Sequence, residues 1–202
     1  MDDLKIISRA LGGDESAQRA LYEAFYAAAF RLAYLLLQER CDAEEVVQDA
    51  FVYVFRNLMR YEPQRGSFWS WLRVVLVSRC RNKRRRKQLP SVPFDVLTAM
   101  ERTPSDDRMD GDPEGVLEMR GVQRRVWGAL QQVSPGARDA LILRYYEELP
   151  YAEIGELLGC SADAARARVA HGKTQLRALL GTAEEESPRR IPAAVARKSG
   201  VG

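Results

Sequence analysis

The chain carries a single histidine, His171, and three cysteines, Cys41, Cys80 and Cys160, with no CxxC pair among them. One imidazole excludes a histidine-based metal cluster, and a serine or cysteine triad would have to be built on it with no neighbouring support. Odd, widely spaced cysteines argue against a disulfide framework and a zinc knuckle alike, so reduced thiols are expected. No apolar run reads as long enough to span a bilayer, and the acidic start MDDLKII is unlike a signal peptide, so a cytoplasmic location is expected. An excess of one charge is also lacking. The formal net charge is +3 over 202 residues, so any affinity for nucleic acid has to come from placement and not from total charge. Catalysis, cofactors and resident metals are not expected. A composition of 46% hydrophobic and 29% charged residues is that of a globular protein with one ordinary domain or two small ones.

What the chain has in abundance is helical periodicity. Residues 3–11 read as a short helix broken at Gly12 and Gly13, and Asp14 starts a longer one to about Arg40. Its stripe of Ala17, Leu21, Ala24, Phe25, Ala28, Leu32 and Leu35 needs a partner helix. The simplest partner is the helix after Asp42, with Asp42 as expected N-cap and Glu45 three residues on. In that helix Val46, Val47, Ala50, Phe51, Val54, Phe55 and Leu58 mark the core face, and Glu45, Gln48 and Asp49 share the opposite, solvated face. Pro63 and Gly66 stop the chain, and Ser67 caps a new helix. The first half of this helix, Phe68 to Val77, is nearly all apolar; its second half carries Arg79, Arg81 and the run Lys83, Arg84, Arg85, Arg86, Lys87. An apolar root and a cationic end suit phosphate binding, and aromatics beside cations suit unstacked bases. A solvated charge run or a membrane-surface patch reads from the same composition.

Residues 89–115 carry Pro90, Pro93, Pro104 and Pro113 with an acidic excess and read as a linker. Periodicity returns at Val116, and Ser134 with Pro135 opens the next helix. Two short helices follow, joined by Gly159, expected in a left-handed conformation, and by Ser161 as a cap. Such a pair is a helix-turn-helix, whose second helix enters the major groove. On it Ala165, Val169, Gly172 and Leu176 face inward, while Arg166, Ala167, Ala170, His171 and Lys173 face outward as the DNA candidates. Arg166 suits bidentate reading of guanine and Lys173 suits phosphate. Arg168, toward the other side, is expected in a structural salt bridge. His171 also reads as an ordinary half-exposed surface residue. Residues 182–202 read as a disordered tail.

Two stretches, AEEVVQDAFVYVFRNLMRYEPQRGSFWSWL and LILRYYEELPYAEIGELLGCSADAARARV, resemble the extracytoplasmic-function (ECF) group of bacterial sigma-70 factors. The resemblance covers roughly residues 3–180. It implies an all-α fold of two small helical domains: region 2 over residues 1–88 and the region 4 helix-turn-helix over residues 116–181, joined by the acidic linker. The function it implies is non-catalytic: recruiting core RNA polymerase to a promoter and melting the −10 element. Glu45, Gln48 and Asp49 match positions that dock on the polymerase β′ coiled coil. Ser67, Phe68, Trp69, Ser78, Arg79, Asn82, Lys83 and Arg85 match the segment that binds the −10 element and captures a flipped base. Region 4 is implied to read the −35 element and rest on the β flap. An anti-sigma protein is a further candidate partner. The sequence departs from the family where DNA is read. Val77 and Ser78 replace an arginine and an asparagine, Asn82 replaces an aspartate, and Ala164, Ala165 and Ala167 replace threonine, valine and serine. A stand-alone helix-turn-helix regulator would explain residues 134–180 but leave Trp69, Trp71 and the arginine run without a task. A nuclease would need a scaffolded carboxylate cluster, whereas the densest acids fall in the linker.

Overall fold

The computed structural model describes residues 3–88 and 113–185; the expected linker, apart from residues 113–115, and the tail beyond residue 185 lie outside the described residues. Among the described residues the α-helices are, in order, α1 (Asp3–Leu11), α2 (Glu15–Leu37), α3 (Arg40–Arg56), α4 (Phe68–Gln88), α5 (Pro113–Gln132), α6 (Pro135–Tyr145), α7 (Tyr151–Leu158) and α8 (Ala162–Glu185). Among the described residues there is no strand. α5 starts three residues before the expected Val116, and α8 runs past the expected end at residue 181.

Helix α2 is the hub of the first half, packing on α1, α3 and α4. Asp14 caps it, its carboxylate accepting the Ser16 and Ala17 amides at 2.9 and 3.2 Å. The same carboxylate accepts the Ser16 hydroxyl at 2.6 Å and Arg9 from α1, and these donors, with the Ala17 amide, lower its pKa to about 2. Two expectations for this region are corrected. Helix α2 ends at Leu37 because Gln38 turns left-handed (φ 59°) and closes on the Tyr34 carbonyl, so α3 starts at Arg40 with Glu39, not Asp42, in the cap position. Asp42 lies inside the first turn, buried, where it meets Lys83 and Lys87 of α4. The buried stripe of α2 is Ala17, Leu21, Ala29, Leu32, Ala33 and Leu36, with Ala24 exposed and Leu35 half-buried. The reason is that α2 is covered on more than one side, so periodicity alone does not single out its inner face. By length and hydropathy α2 would also pass as a bilayer-spanning segment, contrary to the reading of the sequence; here it is the central packing helix.

Helix α4 enters as a wedge. Phe68, Leu72, Leu76 and Cys80 recur every four residues and, with Val77, are fully buried. Burying side chains of this size stabilises by about 1.5–3 kcal/mol each. The entry is set by Gly66, whose φ of 148° disfavours other residues, and by Ser67, whose Oγ accepts the Ser70 amide at 3.2 Å. The Tyr61 hydroxyl donates to the Gly66 carbonyl at 3.0 Å, pinning the turn.

In the second half α8 packs on α5, α6 and α7. Gly159 is left-handed (φ 63°), and the Cys160 amide returns to the Gly155 carbonyl at 2.8 Å. The Ser161 hydroxyl accepts the Ala164 amide, capping α8 as expected. Ser134 makes no side-chain cap; its amide reaches Gln175 of α8 instead. Ala165, Val169 and Gly172 are buried and Leu176 is half-buried, as the periodicity of α8 predicts.

Candidate nucleic-acid interface

On α3, Glu45, Gln48 and Asp49 are exposed on one outer face, at three- and four-residue spacing. Two of the three reach α4: Glu45 pairs with Lys83, and Asp49 with Arg79 at 3.6 Å. A shallow groove between the helices is lined by Glu45, Val46, Asp49, Arg79, Asn82, Lys83 and Arg86. The Glu45 carboxylate raises the Lys83 pKa, while partial burial opposes it. Exposed pairs of this kind contribute about 0–1 kcal/mol each, so they are easily exchanged for pairs with an incoming partner.

The basic run of α4 therefore divides by helix face. Arg79, Lys83 and Lys87 turn toward α3, and Arg79 also lies over the Tyr53 ring at 5.1 Å. Arg81 and Arg84 turn the other way, to the Leu157 carbonyl (2.9 Å) and the Asp139 carboxylate (3.0 Å) of the second half. Ser78, Asn82 and Arg85 are exposed at i, i+4 and i+7 along one side of α4, with Asn82 at the edge of the groove toward α3.

The aromatic entry behaves differently from the sequence expectation. Phe68 is 2% exposed, packed against Phe25, Tyr61 and Trp71 with ring centroids 5.0–6.1 Å apart. It offers no face to a base; in this fold it anchors the turn that presents Ser67, which is exposed. Trp69 is half-buried, parallel to Phe25 at 6.4 Å, and its indole N–H donates to Glu147 at 3.0 Å.

On α8, Arg166, Ala167, Ala170, His171 and Lys173 are all exposed and form one outward face. Arg166 lies over the Tyr151 ring (5.2 Å) and 3.6 Å from Asp163; Lys173 lies 5.9 Å from the Tyr145 ring. These contacts hold the two cations at the surface without removing them from solvent. Arg168 is half-buried and makes no ion pair with a described residue, so the expected salt bridge is not formed. No acidic side chain among the described residues lies within pairing distance of it.

Sequence reasoning missed the polar seam between the halves. The Arg73 guanidinium bridges Glu147 (3.2 Å) and Glu153 (3.5 Å), Arg138 donates to Gln38, and Tyr34 stacks on Trp127 at 4.9 Å. Asp139 is 4% exposed. Burial pushes its pKa up, and the guanidinium groups of Arg84, Arg138 and Arg81 only partly offset this. The available signal was a charge in an apolar run: Arg73 in FWSWLRVVLV and the Arg138–Asp139 pair in GARDALIL.

Residues 21–89 match the Sigma-70 region 2 family, and residues 123–176 match Sigma-70, region 4. The RNA polymerase sigma factor CarQ of Myxococcus xanthus is 34% identical over 148 residues, 73% of this chain and 79% of CarQ. The chain belongs to the ECF group of the sigma-70 family. The ECF RNA polymerase sigma factor SigE of Mycolicibacterium smegmatis is 31% identical over 161 residues, 78% of this chain; the match spans 59% of the length of SigE. The fold is also that of the sigma factor RpoE in complex with the anti-sigma factor NepR from Bartonella quintana, at a TM-score of 0.55 and 20% identity over 81% of this chain and 96% of RpoE. The region 2 match falls on α2–α4 and the region 4 match on α5–α8.

Proposed function

We propose that this ECF chain is a sigma factor that binds core RNA polymerase and directs it to promoters, with each of its two regions reading one promoter element. The observation that carries the reading is the coexistence of two separate open faces. Ser78, Asn82 and Arg85 line up along α4, and Arg166, Ala167, Ala170, His171 and Lys173 line up along α8. The first face, beside the Ser67 turn and the cations Arg79 and Lys83, suits a strand whose bases have been unstacked; the second suits the major groove of intact duplex. Phe68 supports the first face from the core and does not stack on a base.

Glu45, Gln48 and Asp49 are the docking face for the polymerase β′ coiled coil, and region 4 rests on the β flap. When Glu45 and Asp49 take partners on the polymerase, Lys83 and Arg79 are left to meet phosphate. An anti-sigma protein, the kind of partner with which RpoE is seen in complex, is a natural regulator of such a chain, and the site of action is the cytoplasm. The test is transcription in vitro with purified core polymerase on fragmented genomic DNA. New start sites appear only with the chain present, and Glu45→Lys with Asp49→Arg abolishes them while both regions stay folded. Duplex binding by the chain alone, with no effect on polymerase, would favour the stand-alone regulator.

A further inference from the structure

The guanidinium groups of Arg144 and Arg166 lie over one and the same ring, that of Tyr151, at 5.0 and 5.2 Å from its centroid. The ring stands at the end of the turn that joins α6 to α7, and this turn is fixed from several sides. Glu148 holds a left-handed φ of 55°, an unfavourable conformation for a glutamate. Leu149 is buried, its amide returns to the Leu143 carbonyl at 3.0 Å, and Pro150 sets the start of α7. Arg144 donates to the Leu149 carbonyl at 2.8 Å while it covers the ring. Tyr151 itself is half-buried against the core. The result is an aromatic face held still beside α8.

Along α8 itself little can steer Arg166. Its helix neighbours three and four residues away are Ala162, Asp163, Val169 and Ala170. The alanines end at Cβ, Val169 is buried, and Asp163 is 3.6 Å away with its side chain 91% exposed. An exposed pair of that kind is weakened by water and salt. Arginine loses side-chain freedom when it engages two acceptors of a base at once, and the loss is smaller if the guanidinium already rests on a surface. A planar guanidinium lies well on an aromatic face. The Arg166 side chain stays 66% exposed, so the ring orients it without withdrawing it from DNA.

From these contacts we infer that Tyr151 is a positioning residue for promoter reading: backed by Arg144, its ring sets the direction of the Arg166 guanidinium. The choice of base at the position Arg166 reads therefore depends on a side chain outside α8. The inference rests on the sigma-factor reading above and deepens it, since it names what gives base preference to a helix whose outward residues include Ala167 and Ala170.

Two substitutions separate the ring from its hydroxyl. Tyr151→Phe keeps the aromatic face, and Tyr151→Leu removes it while still filling the core; Tyr151→Met is the second aliphatic variant, and circular dichroism checks that each chain is folded. Polymerase holoenzyme formed with each full chain is assayed on upstream-element duplexes changed one base pair at a time, taken from promoters found by transcription in vitro. Arg166→Ala first marks the base pair that Arg166 reads. There Tyr151→Leu lowers discrimination between the preferred base and the others by about two- to tenfold, the size expected when one long side chain must be ordered on binding. Discrimination at other positions is kept, and Tyr151→Phe matches wild type. In the Arg166→Ala background Tyr151→Leu has no further effect, because the two side chains act as a unit. A uniform loss at every position, or a loss with Tyr151→Phe equal to that with Tyr151→Leu, would overturn the inference, since Tyr151 would then serve stability or a phosphate contact through its hydroxyl. NMR relaxation of the Arg166 Nε–H in the free chain is the second readout. The group is restrained in wild type and in Tyr151→Phe and freed in Tyr151→Leu; equal mobility in all three would overturn the inference as well. If the holoenzyme reads no upstream element, the sigma reading falls and the role in base choice with it, while a restrained guanidinium in the free chain would place the error in the function and not in the stack.

Discussion

Replacing Gly155 by alanine is a sharp test of how the helix-turn-helix is built, because two effects of known size oppose each other there. A Cβ at Gly155 would sit 2.6 Å from the Cys160 carbonyl oxygen and 3.2 Å from the Ala162 amide nitrogen, both backbone atoms of the turn into α8. Backbone cannot swing aside as a side-chain end can, so the turn must move by several tenths of an ångström. Overpacking of this kind costs about 1–3 kcal/mol, and a backbone neighbour places it at the upper end. Against this, alanine gains about 1 kcal/mol over glycine within a helix. The expected net is a destabilisation of about 1–2 kcal/mol. At ~4–8 °C per kcal/mol for a domain of this size, region 4 should melt about 5–15 °C earlier. Gly128→Ala is the control: it lies within α5 with nothing within 4 Å of its would-be Cβ, so it should be neutral or stabilising by up to ~1 kcal/mol. Thermal unfolding of the full chain, with hydrogen exchange to assign the early transition to α7 and α8, decides the matter. If Gly155→Ala proves as harmless as Gly128→Ala, the close approach that positions α8 is not what the structure describes.

Other expectations follow from single groups. Arg166→Ala should weaken binding of the upstream element, measured as polymerase holoenzyme on duplex, by about 1–3 kcal/mol if it reads a base, with core association unchanged in a pull-down. Donors from Ser16, Arg9 and the Ala17 amide hold Asp14 near a pKa of about 2, below its unfolded value. Its contribution is therefore present above the unfolded pKa and is lost as pH falls toward 2. Asp14→Asn, which still caps, should remove that component of acid titration of the α1–α2 junction. Burial raises the Cys80 thiol to about 12, so the folded chain keeps its proton while an unfolded chain releases it, and stability falls as pH rises from about 9 toward 12. At pH 8 a disulfide reagent should modify exposed Cys41 quickly and Cys80 only upon unfolding.

Much of the fold was legible because its signals are local. Asp14, Gly159 and Ser161 each announce a helix boundary through chemistry within four residues, and the four-residue recurrence of Phe68, Leu72, Leu76 and Cys80 shows the inner face of α4 directly. Asp42 has the sequence context of a cap, but its partners, Lys83 and Lys87, lie about forty residues away in sequence. The inner stripe of α2 is not legible for a related reason: the helix is apolar on much of its surface, and only the placement of its neighbours decides which side is deepest. Of the site, the outward face of α8 was read residue by residue, since helical periodicity alone separates it from the core. Phe68 and the division of the basic run were not readable, because both depend on what α4 packs against. The seam joining Trp69, Arg73 and Arg84 to Asp139 and Glu147 is wholly non-local and left only the trace of charges inside apolar runs.

The most direct test of the central claim is permanganate footprinting of promoter DNA with purified core polymerase and this chain. The account predicts that thymines near the start site become reactive only when chain and polymerase are both present, and that the reactivity disappears with Glu45→Lys and Asp49→Arg. Promoters that stay unreactive with the complete mixture, on templates the complex is shown to occupy, would contradict it.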